Sequence, residues 1–268
     1  MNQALIDIAA NLTHETFADD VDNVIERARQ AGVPQLLIAG TSGPGSVAAA
    51  ELAARYPQRL LATAGLHPHH ADEFNADLAD LFAELLQLPQ VVAVGETGLD
   101  YFRDLSPRPR QIQAFEAHIE MAIDSGLPMY LHQRDAHEDF LPLLRACRDH
   151  LSAVVVHCFT DSRAALHAYL DLDCHIGITG WLCDERRGLA LQQMVADIPD
   201  QRLLVETDAP YLKPRNLRPK VRTHRNEPQW LPWVVQELAR HRGQTVQQVS
   251  ACSSANARRL FGFVPLAQ

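Results

Sequence analysis

The chain has 268 residues, 47% of them apolar, enough to bury a substantial core in one large α/β domain or two small ones. With 24 Lys plus Arg against 33 Asp plus Glu, its formal net charge of -9 argues against coating duplex DNA or an anionic membrane through bulk charge. Any contact with nucleic acid must therefore be local.

In chain order, the opening stretch MNQALIDIAANLTHETF lacks the cationic leader and long apolar run of a signal peptide. No later apolar run approaches the roughly 18 residues needed to span a bilayer. The reading is a cytoplasmic protein without a membrane segment. ALIDIAAN opens a series of short apolar runs of strand type, followed by QLLIAG, LLATAGLHPH, VVAVGETGLD, LPMYLHQRD, AVVVHCF, CHIGITG and LLVETDAP. Between them lie stretches with helical periodicity, such as HETFADDVDNVIERARQAG, RQIQAFEAHIEMAIDSG and DERRGLALQQMVADIP, several stopped by Gly or Pro. The five cysteines, Cys147, Cys158, Cys174, Cys183 and Cys252, are odd in number and lack C-x-x-C spacing, which suits reduced, mostly buried thiols.

Near-continuous apolar strands suit a parallel sheet covered on both faces, and eight βα units closing on themselves make a TIM barrel. A doubly wound open sheet is the rival. Asn11, His67, Glu96, His132, His157 and Asp208 each fall at the C-terminal end of an apolar run. A barrel gathers all such ends at one mouth, whereas an open sheet uses only those beside its crevice. The expected fold is a single (β/α)8 TIM barrel over residues 1–268. The last stretch, EPQWLPWVVQELARHRGQTVQQVSACSSANARRLFGF, reads as two amphipathic helices packed outside it.

Glu96, His132 and His157 come from three strand ends and Asp208 from a fourth, a mix of imidazole and carboxylate that suits a divalent cation. The alternative is a purely structural polar network. Asp208 is a candidate ligand or general base, and the base role is preferred. Glu206 lies two residues earlier, so an extended strand projects both acids to one face with Glu206 deeper, as a loop anchor or a catalytic group. His67 and His69 share that spacing across Pro68 and are candidates for a phosphate or a second metal. Arg134, two beyond His132, is placed to stabilise a phosphoryl oxygen or to pair with Asp135. After the eighth run come Lys213, Arg215, Arg218, Lys220, Arg222 and Arg225, with Glu227 the one acid across residues 211–228. This skew reads as a phosphate-binding collar, with Arg225 a substrate-binding candidate. Tyr101, Phe102, Phe159, Trp181 and Tyr211 fall just past strand ends, where they could stack on bases or pack loops.

The motifs GLHPH, GETGLDY, HQRDAHEDF, VHCFTD, GITGW, ETDAPYL and RNEP, in this order, closely resemble the TatD family of metal-dependent nucleases among the amidohydrolase-like TIM barrels. The resemblance implies a cytoplasmic, Mg-dependent 3′-5′ exonuclease acting on single-stranded DNA and RNA ends, with a role in repairing oxidised DNA. Carried over position by position, it makes Glu96, His132 and His157 metal ligands and Asp208 the acid near the reactive water. The wider family opens with Asp-x-His-x-His, whereas this chain keeps Asp7 but has Ala9 and Asn11 at the histidine positions. The expectation is one tight metal site, with a second metal recruited weakly by substrate phosphate. Magnesium comes from the resemblance, because the donor set by softness also accepts Mn or Zn. No obligate protein partner is evident. Two other functions fit the same mouth: hydrolysis of a small phosphoester, lactone or amide, and non-catalytic binding of nucleic acid.

Overall fold

In the computed structural model, which describes residues 4–266, every apolar run becomes a strand. The first three residues of the stretch read for a leader, and the last two of the chain, lie outside the described residues. The strands are β1 Ile6–Ala10, β2 Gln35–Ile38, β3 Leu60–Ala64, β4 Val91–Asp100, β5 Met129–Arg134, β6 Val154–Val156, β7 His175–Ile178 and β8 Leu203–Val205. The helices between and after them are α1 Val21–Gln30, α2 Gly43–Arg55, α3 Ala76–Leu85, α4 Arg108–Ser125, α5 His137–Cys147, α6 Arg163–Asp171, α7 Leu189–Met194, α8 Leu231–Arg242 and α9 Val246–Phe261.

Neighbouring strands pair in parallel and in sequence order from β1 to β8. The last returns to the first: Ala10 bridges to Ala209, the Asn11 N–H donates to the Ala209 carbonyl at 2.7 Å, and the Asp208 N–H to the Ala9 carbonyl at 2.9 Å. The sheet is therefore a TIM barrel and not an open doubly wound sheet. A side chain reinforces the seam, since Asp7 accepts the Thr207 backbone N–H at 2.9 Å and the Thr207 hydroxyl at 2.5 Å.

Two apolar clusters explain why the strands carry little polarity. One lies between strands and helices and includes Leu36, Ile38, Phe82, Phe115, Phe140 and Tyr169. The other joins Ile6, Ile8, Leu37, Tyr130, Val155 and Leu204 to Ala257, Phe261 and Phe263. The two C-terminal helices pack outside the barrel, and Phe261 at the end of α9 and Phe263 just past it join this second cluster. Both strand faces are thus buried, and alternation of polar and apolar residues is lost. All five cysteines are free. Among the described residues, no helix is long and apolar enough to cross a membrane.

Two glycines set how closely β4 approaches β5. Gly95 and Gly98 both have φ of +137°, and a Cβ on them would meet the carbonyl oxygens of Tyr130 and His132, each at 2.0 Å. Only glycine fits there. The register between the strands shifts between Val94 and Thr97, a bulge that re-aims the residue within it, Glu96.

His118 on α4 is a fully buried imidazole that ties a helix to the exit of β3. Its Nε2 accepts the Leu66 N–H at 3.1 Å, and its Nδ1 lies 2.7 Å from the Ala114 carbonyl. These partners require the neutral ring with the proton on Nδ1. Burial pushes its pKa down to about 4, outweighing the bond to Ala114. The unfolded chain therefore takes up this proton first as pH falls. The His118 contribution should be intact above about pH 6.5 and decline progressively to about pH 4, by up to roughly 3 kcal/mol. Urea unfolding of wild type and His118→Gln across that range checks this: the wild type's advantage should shrink as pH falls, and a pH-independent difference would contradict it.

Candidate metal centre and active site

The C-terminal strand ends surround a cavity of about 830 Å³. At its floor, three imidazoles meet one carboxylate oxygen. Glu96 Oε1 lies 3.2 Å from His67 Nε2, 3.1 Å from His132 Nδ1 and 2.8 Å from His157 Nε2. Each comes from a different part of the sheet: Glu96 from inside β4, His132 from β5, His157 from just past β6, and His67 from the exit of β3. Donor atoms of His67, Glu96 and His132 all lie within 4.8 Å of one another. The sequence leaves His67 between a phosphate and a second metal, and the geometry places it in the same donor set as Glu96 and His132.

The expected spacing of the histidines arises differently from the strand parity assumed. β3 ends at Ala64, and His67 caps a 3₁₀ turn over Pro68–Glu73, with His67 Nδ1 accepting the His69 N–H at 3.1 Å. The turn still brings the two rings to 4.1 Å between centroids. The parity argument for Glu206 and Asp208 also fails, because β8 ends at Val205 and Asp208 has φ of +54°. Glu206 is nevertheless the deeper acid. It is fully buried, accepts the Cys158 N–H at 2.5 Å, and lies 3.6 Å from His157 Nδ1, so it anchors the β6 exit beneath the donor set. Asp208 lines the cavity, and its Oδ1 accepts the Asn11 amide at 3.1 Å.

Asp100 was missed. It closes β4, is 1% exposed, and its Oδ2 lies 2.9 Å from His69 Nε2 and 3.2 Å from His132 Nε2. His132 is thus held between two carboxylates, Glu96 on one nitrogen and Asp100 on the other. A carboxylate behind a ligating imidazole fixes its orientation and raises its basicity. The sequence signal is present in GETGLDY, four residues after Glu96, but the partners that give this acid its role, His69 and His132, come from other parts of the chain.

The charges at the floor are mutually adjusted. Burial alone would raise the Glu96 pKa, but His157 and His67, with hydrogen bonds from His132 and His157, hold it well below the usual range. Burial likewise opposes the Asp100 anion, yet contacts with His132 and His69 keep its pKa low. Asp208 goes the other way: burial, joined by the charges of Glu96 and Glu206, pushes it up to about 7 despite His157 and the Asn11 hydrogen bond. The donor set fits a divalent cation by chemistry, since it offers imidazole nitrogen and carboxylate oxygen. His157 presents Nε2 to this donor set, while its Nδ1 faces Glu206 at 3.6 Å and is buried without a hydrogen-bond partner among the described residues.

The basic segment after β8 does not form the expected collar around this floor. Arg225 pairs with Asp20 at 2.8 Å and Glu227 at 2.7 Å, and its guanidinium lies 4.8 Å from the Phe17 ring centroid. It clasps the chain before α1 to the segment before α8 and does not line the cavity. Arg215 is bound to Glu185 at 2.7 Å, and Lys213 to backbone carbonyls of Val221 and Thr223. Arg218, Lys220 and Arg222 are exposed. The arginines that do line the cavity are Arg134, Arg103 and Arg187, and only the first was anticipated. Of the aromatics, Phe102, Trp181 and Tyr211 line it, Phe159 is buried, and Tyr101 donates to Asp139 at 2.8 Å beneath Arg108.

Residues 6–262 match the family model described as TatD related DNase. The chain belongs to the TatD-related DNase family. It is 46% identical over 260 residues to the 3′-5′ ssDNA/RNA exonuclease TatD of Pantoea ananatis, covering 97% of this chain and 100% of that one. Against the 3′-5′ ssDNA/RNA exonuclease TatD of Dickeya dadantii the figures are 49% over 257 residues, 96% and 97%. Among solved structures, the TatD homolog YJJV from Escherichia coli superposes with a TM-score of 0.88 at 27% identity, covering 97% of this chain and 98% of that one. The TIM-barrel and metal-dependent nuclease readings of the sequence agree with these relatives.

The placement of Asp100 gives a direct test on metal-stripped protein. Asp100→Asn keeps an oxygen for the backbone but removes the charge behind His132. Calorimetric titration with Mn or Zn should show affinity lowered roughly 10- to 100-fold, with the folded state retained by circular dichroism. Unchanged affinity would remove Asp100 from any role in orienting a ligand.

Proposed function

We propose that this chain is a metal-dependent 3′-5′ exonuclease that shortens single-stranded DNA and RNA. The observation that carries the reading is the convergence of His67, His132 and His157 on Glu96 at the floor of a mouth lined by Arg134, whose guanidinium is unpaired among the described residues. The names of the relatives supply the substrate class and polarity. In this reading Glu96, His132 and His157, with His67 beside them, hold the divalent cation, taken to be Mg, though the donors equally suit Mn or Zn. Such a cation supplies a water of lowered pKa and neutralises charge on the phosphate.

The chain's own residues supply the rest. Asp208, held by Asn11 and with its pKa close to neutral, is the base that takes the proton from the attacking water. Arg134 places its guanidinium on the non-bridging phosphate oxygens, and His69, kept in place by Asp100, supports the same charge. The P–O3′ bond breaks, a proton returns to the departing oxygen, and the terminal nucleotide leaves with its 5′ phosphate. A mouth closed at its floor accepts an unpaired end more readily than a continuous duplex. On family likeness we place the activity in the cytoplasm, on ends that include those left by oxidative damage. One tight cation with a second recruited by substrate phosphate suits a first strand carrying Ala9 and Asn11.

Metal-stripped protein given Mg, Mn or Zn and strands labelled at either end tests this reading. Label should leave the 3′ end at once while the 5′-labelled strand shortens stepwise. Glu96→Ala and His157→Ala should each lose roughly 100-fold or more. Failure to cut either strand with any of the three metals would overturn the nuclease proposal and favour a small-molecule ester or amide.

A further inference from the structure

One wall of the mouth is built differently from its floor. The guanidinium carbon of Arg134 lies 3.9 Å from the ring centroid of Phe102 and 5.9 Å from that of Trp181. Arg187 lies over Trp181 at 4.4 Å, and the indole N–H donates to the Arg187 carbonyl at 3.2 Å. All four residues line the cavity. Arg187 is bound to Asp184 at 2.9 Å, whereas the Arg134 guanidinium has no ion-pair or hydrogen-bond partner among the described residues.

A guanidinium held against a ring uses its flat face and leaves the N–H donors at its edge free in the plane. Those donors suit a phosphate, bidentately. Phe102 is 55% exposed, an unusual position for a large apolar ring that already carries a cation on one side. The pair therefore offers a stacking surface beside a phosphate-binding edge.

The platform is also tied to the cleavage centre. Asp100 Oδ1 accepts the Phe102 N–H at 3.1 Å and the Arg103 N–H at 2.8 Å, while Oδ2 contacts His69 and His132. The Asp100 N–H is itself fixed by Gln111 Oε1 at 2.8 Å. Loop and donor set thus share one buried carboxylate.

We infer that Phe102 and Arg134 form a base-and-phosphate subsite: one unpaired nucleobase stacks on the open face of Phe102 while an adjacent phosphate takes the edge donors of Arg134. This rests on the nucleic-acid reading above and specifies how the strand is held. Every base has a π-face, so the subsite discriminates poorly among sequences. It discriminates against positions inside a duplex, where a base has neighbours on both faces and is not free to lie on Phe102.

The test uses the full chain with Mg and single strands carrying an abasic residue at each of the last three 3′ positions in turn. Binding is read by anisotropy with hydrolysis-resistant phosphorothioate ends, and KM and kcat with cleavable ones. Phe102→Ala should weaken binding and raise KM roughly 5- to 100-fold on intact strands. Phe102→Trp should restore both, whereas Phe102→Leu, which keeps apolar bulk without a ring, should not. At one of the three positions the abasic strand should bind wild type and Phe102→Ala equally. If Phe102→Leu matches wild type, or if the penalty persists at all three abasic positions, Phe102 merely packs against Arg134 and the subsite is overturned. A strand that is bound but uncut by wild type would sink the exonuclease reading instead, and leave the subsite to be judged on binding alone.

Discussion

A carboxylate removed from water is destabilised by several kcal/mol unless cations or donors replace its hydration. At Glu96 the replacement comes from three imidazoles brought in by three separate strand ends. No local segment could supply them, since His67, His132 and His157 are scattered over ninety residues and meet only when β3, β4, β5 and β6 lie side by side. The close approach of β4 to β5, which Gly95 and Gly98 make possible, is therefore part of the site. A Cβ at either glycine would push β5 away and take His132 with it. Asp100 extends the same logic outward, joining His132 and His69 to the loop that carries Phe102.

The seam between β8 and β1 plays a comparable part on the other side of the mouth. β8 is short, and past its end the closure passes to Asp7, which is fully buried and bonded to Thr207. Burial pushes the Asp7 pKa up to about 7, against its hydrogen bonds to Thr207 and Ala9. The two positions that lack the histidines of the wider family are both engaged at this seam. The Ala9 carbonyl accepts the Asp208 N–H, and the Asn11 amide donates to the Asp208 carboxylate. The first strand of this chain thus orients the proposed base where a histidine pair would otherwise offer nitrogen to a metal. Barrel closure and base placement share the same few bonds.

Much of this was legible in the sequence for an identifiable reason. A parallel sheet buried on both faces must read as repeated apolar runs, and a barrel must put its polar exceptions at one end of each run, so the fold and Glu96, His132, His157 and Asp208 could be read together. What was not legible depended on distant partners or local turns. The cationic segment around Arg225 looked like a collar because a local charge count cannot see Asp20, some two hundred positions earlier, which claims that guanidinium. The spacing of His67 and His69 suggested a strand, but Pro68 begins a 3₁₀ turn. Arg103 and Arg187 sit in unrelated loops, and nothing in their immediate neighbours marks them as facing one cavity.

The distribution of charge then accounts for how an acidic protein can handle a polyanion. With a net charge of -9, its overall field repels a nucleic acid strand, and within a Debye length of about 8 Å only local groups decide contact. The mouth carries those groups in an order that matters. One wall holds guanidinium and aromatic surface in Arg134, Phe102, Arg187 and Trp181, while the floor holds the carboxylates Glu96, Asp100 and Asp208, whose repulsion of phosphate a divalent cation held there would offset. A strand can thus be held by its base on Phe102, with Arg134 reaching from the same wall to the reactive phosphate. Strand holding and cleavage meet at that guanidinium.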